Sequence, residues 1–256
     1  MKTVLLAGGL GTRLREETEF KPKPMVAIGG KPILWHIMKS YAAYGHEDFV
    51  VCTGYRGEII KEYFLNYEAR NNDFTITLGE SGKIHYHDAH GESSWRVTVA
   101  DTGAATMTGG RVKLVQKYIG NNRFMCTYGD GVSDVDVGRL ISFHDSHGKL
   151  ATMTAVEMPS RFGVVEMDFD GTVTEFREKP RVEGLVNVGF FVFEPEVFDY
   201  LDSNSVLEQD PFRQLAADGQ LRAYRHEGFW QPMDTFREAT ILNDLWNAGE
   251  APWKVW

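Results

Sequence analysis

The residues best placed to handle phosphate lie near the start of the chain. Leu6-Ala7-Gly8-Gly9-Leu10-Gly11-Thr12-Arg13-Leu14 is followed closely by Lys21-Pro22-Lys23-Pro24-Met25. Glycines remove side chains, so backbone N–H groups can approach phosphate oxygens. Arg13 and Lys23 add the charge that amides lack. Two common phosphate loops do not fit. A Walker A loop needs Gly-Lys followed by Ser or Thr, and here Gly30-Lys31 is followed by Pro32. A dinucleotide fingerprint begun at Gly9-Leu10-Gly11 would need glycine where Leu14 stands.

Carboxylates form the second group. An apolar run ends in Tyr128-Gly129-Asp130-Gly131, and a glycine-flanked aspartate after a strand is well placed to hold Mg²⁺ against phosphate. Magnesium takes one or two protein carboxylates and fills its other positions with phosphate oxygen and water. A second carboxylate from far along the chain is therefore expected. Asp234 in Gln231-Pro232-Met233-Asp234-Thr235 is the candidate, and capping the helix that starts near Thr235 is its competing role. Asp134 and Asp136 read as the cap and first turn of the helix that follows them. In Phe176-Arg177-Glu178-Lys179-Pro180, Lys179 could bind a phosphate and Glu178 could accept from hydroxyl groups; a surface ion pair is the alternative.

The glycine segment with its Pro-Lys-Pro-Met resembles the signature of the nucleotidyltransferases that activate sugar 1-phosphates. Glu16 departs from that pattern, since most hexose members carry proline there. Glu16-Glu17-Thr18, Ile28-Gly29-Gly30-Lys31-Pro32, Tyr128 to Gly131, Phe176 to Pro180, Phe229 to Thr235 and Ala251 to Lys254 resemble the branch that uses CTP and glucose 1-phosphate. The likeness covers essentially the whole chain. It implies nucleotide contacts at Leu6, Ala7, Gly8, Gly9, Gly11, Thr12, Arg13, Lys23, Thr102, Gly103, Gly110, Arg111, Gly129 and Asp130. It implies sugar-phosphate contacts at Tyr128, Glu178, Lys179, Asn187 and Gly189, although many relatives have glycine where this chain has Val188. Asp130 and Asp234 would be its Mg²⁺ pair, and Arg13, Lys23 and Lys179 its catalytic cations. The implied reaction is in-line attack of the sugar phosphate on the α-phosphorus of CTP. The attacking oxygen is already ionised near neutral pH, because a phosphate monoester has its second pKa near ~6, so no general base is assigned. UTP or dTTP in place of CTP remains open on the residues alone. The resemblance also implies a homo-oligomer, with a hexamer as the expected state.

The elements that must position these groups alternate. Strands are expected at Thr3 to Leu6, Phe49 to Thr53, Phe74 to Leu78, Trp95 to Ala100, Arg123 to Thr127, Leu150 to Val156 and Val186 to Phe193. Helices are expected at Pro32 to Tyr44, Glu58 to Tyr67, Gly109 to Tyr118, Val135 to His147, Glu208 to Asp218 and Thr235 to Ala248. Gly163 to Phe176 reads as a hairpin turning at Asp170-Gly171. Residues 80–94 form a polar insertion, expected as a hairpin or loop. Its His85 and His87 fall on one strand face; a solvated hairpin is favoured over a metal site, and a subunit contact is what the resemblance implies. The reading is an α/β fold, a Rossmann-like, mainly parallel mixed sheet flanked by helices with small β insertions. Residues 1–256 form one domain, with 1–130 mainly on the nucleotide side and 131–256 mainly on the sugar-phosphate side. Ligands in such sheets bind at the carboxyl ends of strands.

Composition narrows the partners. The 256 residues are 43% hydrophobic and 25% charged, with net charge −9. An acidic chain is a poor nucleic-acid binder, so polyphosphate must be held by local cations, amides and metal. No run is long enough for a membrane span. Cys52 and Cys126 sit in apolar runs as structural thiols, and a cytoplasmic setting is the expectation.

Overall fold

A computed structural model describes residues 1–11, 14–79, 83–158, 162–178, 180 and 184–256, apart from the side chains of Arg15 and Glu16. The chain enters as β1 (Lys2–Ala7), then α1 (Arg15–Thr18), a 3-10 turn over Lys23–Met25, and a hairpin of β2 (Ala27–Ile28) and β3 (Lys31–Pro32). Gly29 and Gly30 turn that hairpin with φ of 56° and 82°, a left-handed pair that only glycine adopts without strain. Next come α2 (Ile33–Ala42), β4 (Asp48–Thr53), α3 (Gly57–Leu65), α4 (Tyr67–Asn71), β5 (Phe74–Ile76), β6 (Ile84–Tyr86) and β7 (Arg96–Asp101). The middle of the chain is α5 (Thr108–Leu114), α6 (Gln116–Ile119), β8 (Phe124–Tyr128), β9 (Gly131–Ser133), α7 (Val137–His147) and β10 (Ala151–Val156). The last stretch runs through β11 (Val164–Met167), β12 (Val173–Arg177), β13 (Val186–Asn187), β14 (Phe191–Phe193), a 3-10 segment Pro195–Tyr200, α8 (Asp210–Ala217), β15 (Leu221–Arg225), β16 (Trp230–Pro232) and α9 (Phe236–Asn247).

The main sheet is mixed and mainly parallel, as expected. β7, β4, β1 and β8 run parallel in that order. β14 pairs antiparallel with both β8 and β10, β13 pairs with the far end of β10, and β15 closes the other edge in parallel. Alternation along β1 sends Leu5 and Ala7 into one apolar cluster with α2, α7 and α9, and Val4 and Leu6 into another with α5 and α8. Each fully buried large side chain of these clusters contributes roughly 1.5–3 kcal/mol. Cys52 and Cys126 are buried free thiols, and burial pushes the Cys52 thiol up to about 12. Because β1, β4, β7 and β8 are parallel, their carboxyl ends share one edge, and the glycine segment, Gly54, Thr102 and Gly129 all lie there.

Several expectations change. The strand expected over Val186 to Phe193 is broken, because Gly189 and Phe190 have φ of 86° and 49°. Gly189 is pressed against the Tyr128 ring, where a Cβ would come within 2.9 Å, so the chain bulges around that ring. The helix expected from Glu208 starts only at Asp210, with Pro211 in its first turn, and leaves Glu208 outside it. The helix expected from Val135 starts at Val137 and is capped by Asp136, which accepts from Arg139 N at 2.9 Å. Asp134 is not part of that helix start. It accepts from Phe229 N at 2.7 Å and meets His226 Nε2 at 2.9 Å, which ties down the turn before β16. Asn66 ends α3 and starts α4 as its side chain donates to Glu62 O, and Val115 separates α5 from α6. The insertion pairs with what precedes it: β6 pairs with β5, and His87 Nε2 lies 2.7 Å from Thr75 Oγ1. The β11–β12 hairpin turns at Asp170-Gly171 as expected. Among the described residues no helix is long and apolar enough to cross a membrane.

His36 pins the end of the chain. Its ring is fully buried against Trp35, Trp246, Trp253 and Trp256. Trp253 Nε1 donates to Nδ1 at 3.3 Å, so Nε2 carries the proton and donates to Ile28 O at 2.8 Å. Burial pushes its pKa down from 6.5 to about 4, because a charged imidazolium there would lose its hydration. In that window the unfolded chain binds a proton that the native state refuses, so stability falls as pH drops from 6.5 toward 4. The expected loss is roughly 3 kcal/mol in urea unfolding at the acid end. His36→Gln should flatten that limb relative to wild type, and an unchanged slope would show that other groups set it.

Candidate active site

At the carboxyl edge of the sheet a cavity of about 230 Å³ is lined by Leu6, Gly9, Gly11, Lys23, Pro24, Gly129, Asp130 and Asp234. Most of these are the residues singled out by sequence, and three distant segments supply them. Leu6 is the last residue but one of β1, and its carbonyl accepts from Gly129 N at 3.1 Å, which fixes the two strand ends together. Gly129 is required there, since a Cβ would come within 2.9 Å of Leu6 O. Gly11 turns with φ of 62°, and its carbonyl accepts from Thr18 Oγ1 and Leu14 N. Gly9 is exposed with open space around it. Thr12 and Arg13 lie outside the described residues.

Lys23 enters from the 3-10 turn, which Pro22 and Pro24 hold. Its ammonium donates to Asp130 Oδ2 at 2.7 Å and to Asp234 Oδ1. Burial alone would lower the Lys23 pKa, but the pull of Asp130 and Asp234 outweighs it and holds the group above its usual value. The carboxylates meet because β9 and β16 pair in an antiparallel ribbon, with Met233 N donating to Asp130 O at 2.8 Å. Neither strand was anticipated, because each is too short to show alternation. Asp234 is not the helix cap. Thr235 caps α9 through Glu238 N, and Glu238 returns a bond to Thr235 N, so the Thr-x-x-Glu box in the sequence already carried the answer. Two convergent carboxylates that share one cation form a hard, anionic oxygen donor set, and a small divalent ion fits such a set.

Arg111, expected as a nucleotide contact, is held by protein oxygens. It is buried at 4% exposure. Its guanidinium donates to Thr53 O at 3.0 Å, Thr102 Oγ1 at 2.6 Å, Gly8 O at 3.0 Å and Ala104 O at 3.4 Å. Glycine is needed at positions 8 and 54 because a Cβ would run into that guanidinium, within 2.1 and 2.7 Å of Nη1. Gly109 and Gly110 face Ser205 and Ser203, so they serve close packing of α5 on the 203–205 turn. Ala7 is buried at the end of β1. Thr102 is buried and donates to Thr53 O, and Gly103, with φ of 87°, donates to Asp101 Oδ1 at 3.0 Å.

Of the residues expected to meet the sugar phosphate, Tyr128 is half-buried, with Asn187 Nδ2 3.2 Å from its hydroxyl. Asn187 Oδ1 accepts from Gly189 N at 3.1 Å. Glu178 follows β12, exposed, with its carboxylate beside Gly163. Lys179 lies outside the described residues. Glu208, which accepts from Tyr128 Oη at 2.6 Å, and Thr108, which donates to Glu208 at 2.7 Å, join this cluster without having been singled out by sequence, and nothing in their local pattern marks them.

Residues 2–237 match the family model described as Nucleotidyl transferase. The chain is 51% identical over 259 residues to a glucose-1-phosphate cytidylyltransferase of Salmonella typhi, with the whole of both chains covered. It is 45% identical, again over the full length of both, to a Bacillus subtilis protein described as a probable glucose-1-phosphate cytidylyltransferase. A solved UDP-glucose pyrophosphorylase bound to UDP-glucose is similar in fold, with TM-score 0.69 at 17% identity over 97% of this chain and 98% of the other.

Arg111→Lys separates packing from ligand contact. A lysine cannot reproduce the planar fork, and buried carbonyls would lose partners. Without ligands, stability in urea should fall by about 2 kcal/mol. A variant as stable as wild type would return Arg111 to the role of a ligand contact.

Proposed function

The chain belongs to the nucleotidyl transferase family, and we propose that it joins CTP to α-D-glucose 1-phosphate, releasing pyrophosphate and forming CDP-glucose. The observation that carries this reading is the 51% identity, over the full length of both chains, to the Salmonella typhi glucose-1-phosphate cytidylyltransferase. The cavity supports it, since it places open glycine backbone, one ammonium and two carboxylates at the carboxyl edge of a parallel sheet.

In this reading a phosphate oxygen of glucose 1-phosphate attacks the α-phosphorus of CTP, and pyrophosphate leaves from the opposite side. The nucleophile is already ionised, with a second phosphate pKa near ~6, so catalysis is positioning plus charge stabilisation. Asp130 and Asp234 would hold Mg²⁺, which when bound supplies charge neutralisation to the phosphates. Lys23, held beside both carboxylates, would carry its charge to the α-phosphate. Arg13 would neutralise the departing pyrophosphate, and Lys179 would hold the attacking group. Glu178, Tyr128, Asn187 and Gly189 would face the sugar phosphate, and the Thr102-Gly103 turn would face the base. A homo-oligomer, with a hexamer as the expected state, is part of the same reading. Exposed Val165, Met167, Phe169, Val173 and Phe176 on the β11–β12 hairpin support it.

The test is pyrophosphate release with glucose 1-phosphate and Mg²⁺, with CTP, UTP, dTTP, ATP and GTP offered separately. Strong preference for CTP is expected. Preference for UTP or dTTP would keep the mechanism and overturn the base assignment, and no release with any of them would overturn the proposed reaction. Arg13→Ala should lower kcat by about a hundredfold or more with little change in stability. Near-normal turnover would remove Arg13 from its role.

A further inference from the structure

Glu208 stands at a junction that the reaction scheme above does not use. It lies between the end of the 3-10 segment and α8, on an exposed turn. One carboxylate oxygen accepts from Tyr128 Oη at 2.6 Å, and the other accepts from Thr108 Oγ1 at 2.7 Å. Thr108 opens α5 and itself accepts from Leu207 N at 2.9 Å. Gly110 N donates to Ser205 O at 2.9 Å, so the whole turn is locked to the head of α5.

Proton bookkeeping across these contacts has one consistent solution. Asn187 Oδ1 accepts from Gly189 N, so its amide nitrogen is the atom that faces Tyr128. Tyr128 Oη must accept that N–H, so its own proton goes to Glu208. An ionised carboxylate only accepts, which fits both hydroxyls that meet it. One lone pair of Tyr128 Oη and the second Asn187 N–H then keep a fixed polarity. Without Glu208 the phenol could rotate its proton toward Asn187 or solvent, and the pair would lose that definition.

We propose that Glu208 is a positioning residue for the sugar phosphate, which by accepting the Tyr128 O–H hydrogen bond presents Tyr128 as an acceptor and Asn187 as a donor to sugar hydroxyls. The proposal rests on the reading that Tyr128 and Asn187 face the sugar. Thr108 anchors the other carboxylate oxygen, so the sugar side is braced on the helix whose Arg111 supports the glycine loop.

Glu208→Met tests it in the full-length protein. The substitution keeps the length of the side chain and removes both acceptor oxygens, so neither hydroxyl finds its acceptor. KM for glucose 1-phosphate, and its Kd by calorimetry without turnover, should rise about tenfold, as expected for a lost charge-assisted hydrogen bond. KM for CTP should stay within about twofold and the thermal midpoint within about 2 °C, because no core group is removed. In a Tyr128→Phe background the same substitution should add less than about twofold, because the group it acts through is gone. An unchanged KM and Kd would overturn the proposal. So would a full tenfold effect in the Tyr128→Phe background, or equal losses for both substrates with a lower midpoint. If wild type prefers a different nucleotide or sugar phosphate, the proposed function falls alone, and the same comparison with the preferred pair decides Glu208.

Discussion

A buried guanidinium bonded to backbone and hydroxyl oxygens lies beneath the glycine segment, and the shape of the cavity depends on it. Burying a charge is costly unless its donors are satisfied. Arg111 meets that requirement with backbone and hydroxyl oxygens from the ends of β1 and β4 and from the turn after β7. Those oxygens are available only because parallel strands end together. The same packing explains residues that look functional in sequence. Gly8 and Gly54 have no side chain because the guanidinium fills that space, whereas Gly9 has open space beside it. One glycine run therefore does two jobs, close packing at Gly8 and an open backbone at Gly9.

A second constraint follows from charge. Asp130 and Asp234 repel each other, and the chain as a whole is acidic. Lys23 relieves that repulsion by lying between them, and the ribbon of β9 and β16 holds the pair in place. The ribbon is in turn fixed from outside the cavity. Asp134 holds the turn that starts β16, and the Thr235–Glu238 box holds the helix that follows it. Mutating either support would act on the carboxylates through geometry while leaving their chemistry intact.

Much of this was legible in the sequence, for reasons that also mark where legibility ends. β1, α2, β4, β8 and the β11–β12 hairpin announce themselves by apolar periodicity and by turn residues such as Asp170-Gly171. The cavity lining from Leu6 to Lys23, with Asp130 and Asp234, followed from strand ends, glycine and carboxylate chemistry and a family resemblance. β9 and β16 are too short for periodicity, and their pairing is a long-range event. The break at Gly189-Phe190 is imposed by the Tyr128 ring, which lies on another strand. A cation and a glycine near a helix start look alike in sequence whether they face phosphate or protein, so the bonds of Arg111 to backbone oxygens and the packing of Gly110 on Ser203 were not legible.

Glu208 shows the same limit in sharper form. By pattern it belongs to the first turn of a helix, where an acidic residue is favoured by the helix dipole. Pro211 moves the helix start past it, and the carboxylate is turned to Tyr128 and Thr108. An exposed glutamate in a turn would ordinarily contribute little to stability, since surface ion pairs are worth about 0–1 kcal/mol. In the proposed role its value lies in fixing where the Tyr128 hydroxyl points its proton, and that property alters recognition without altering the fold. Such residues escape pattern reading because their role is defined by two hydroxyls that meet them only after β8 and α5 have been brought together.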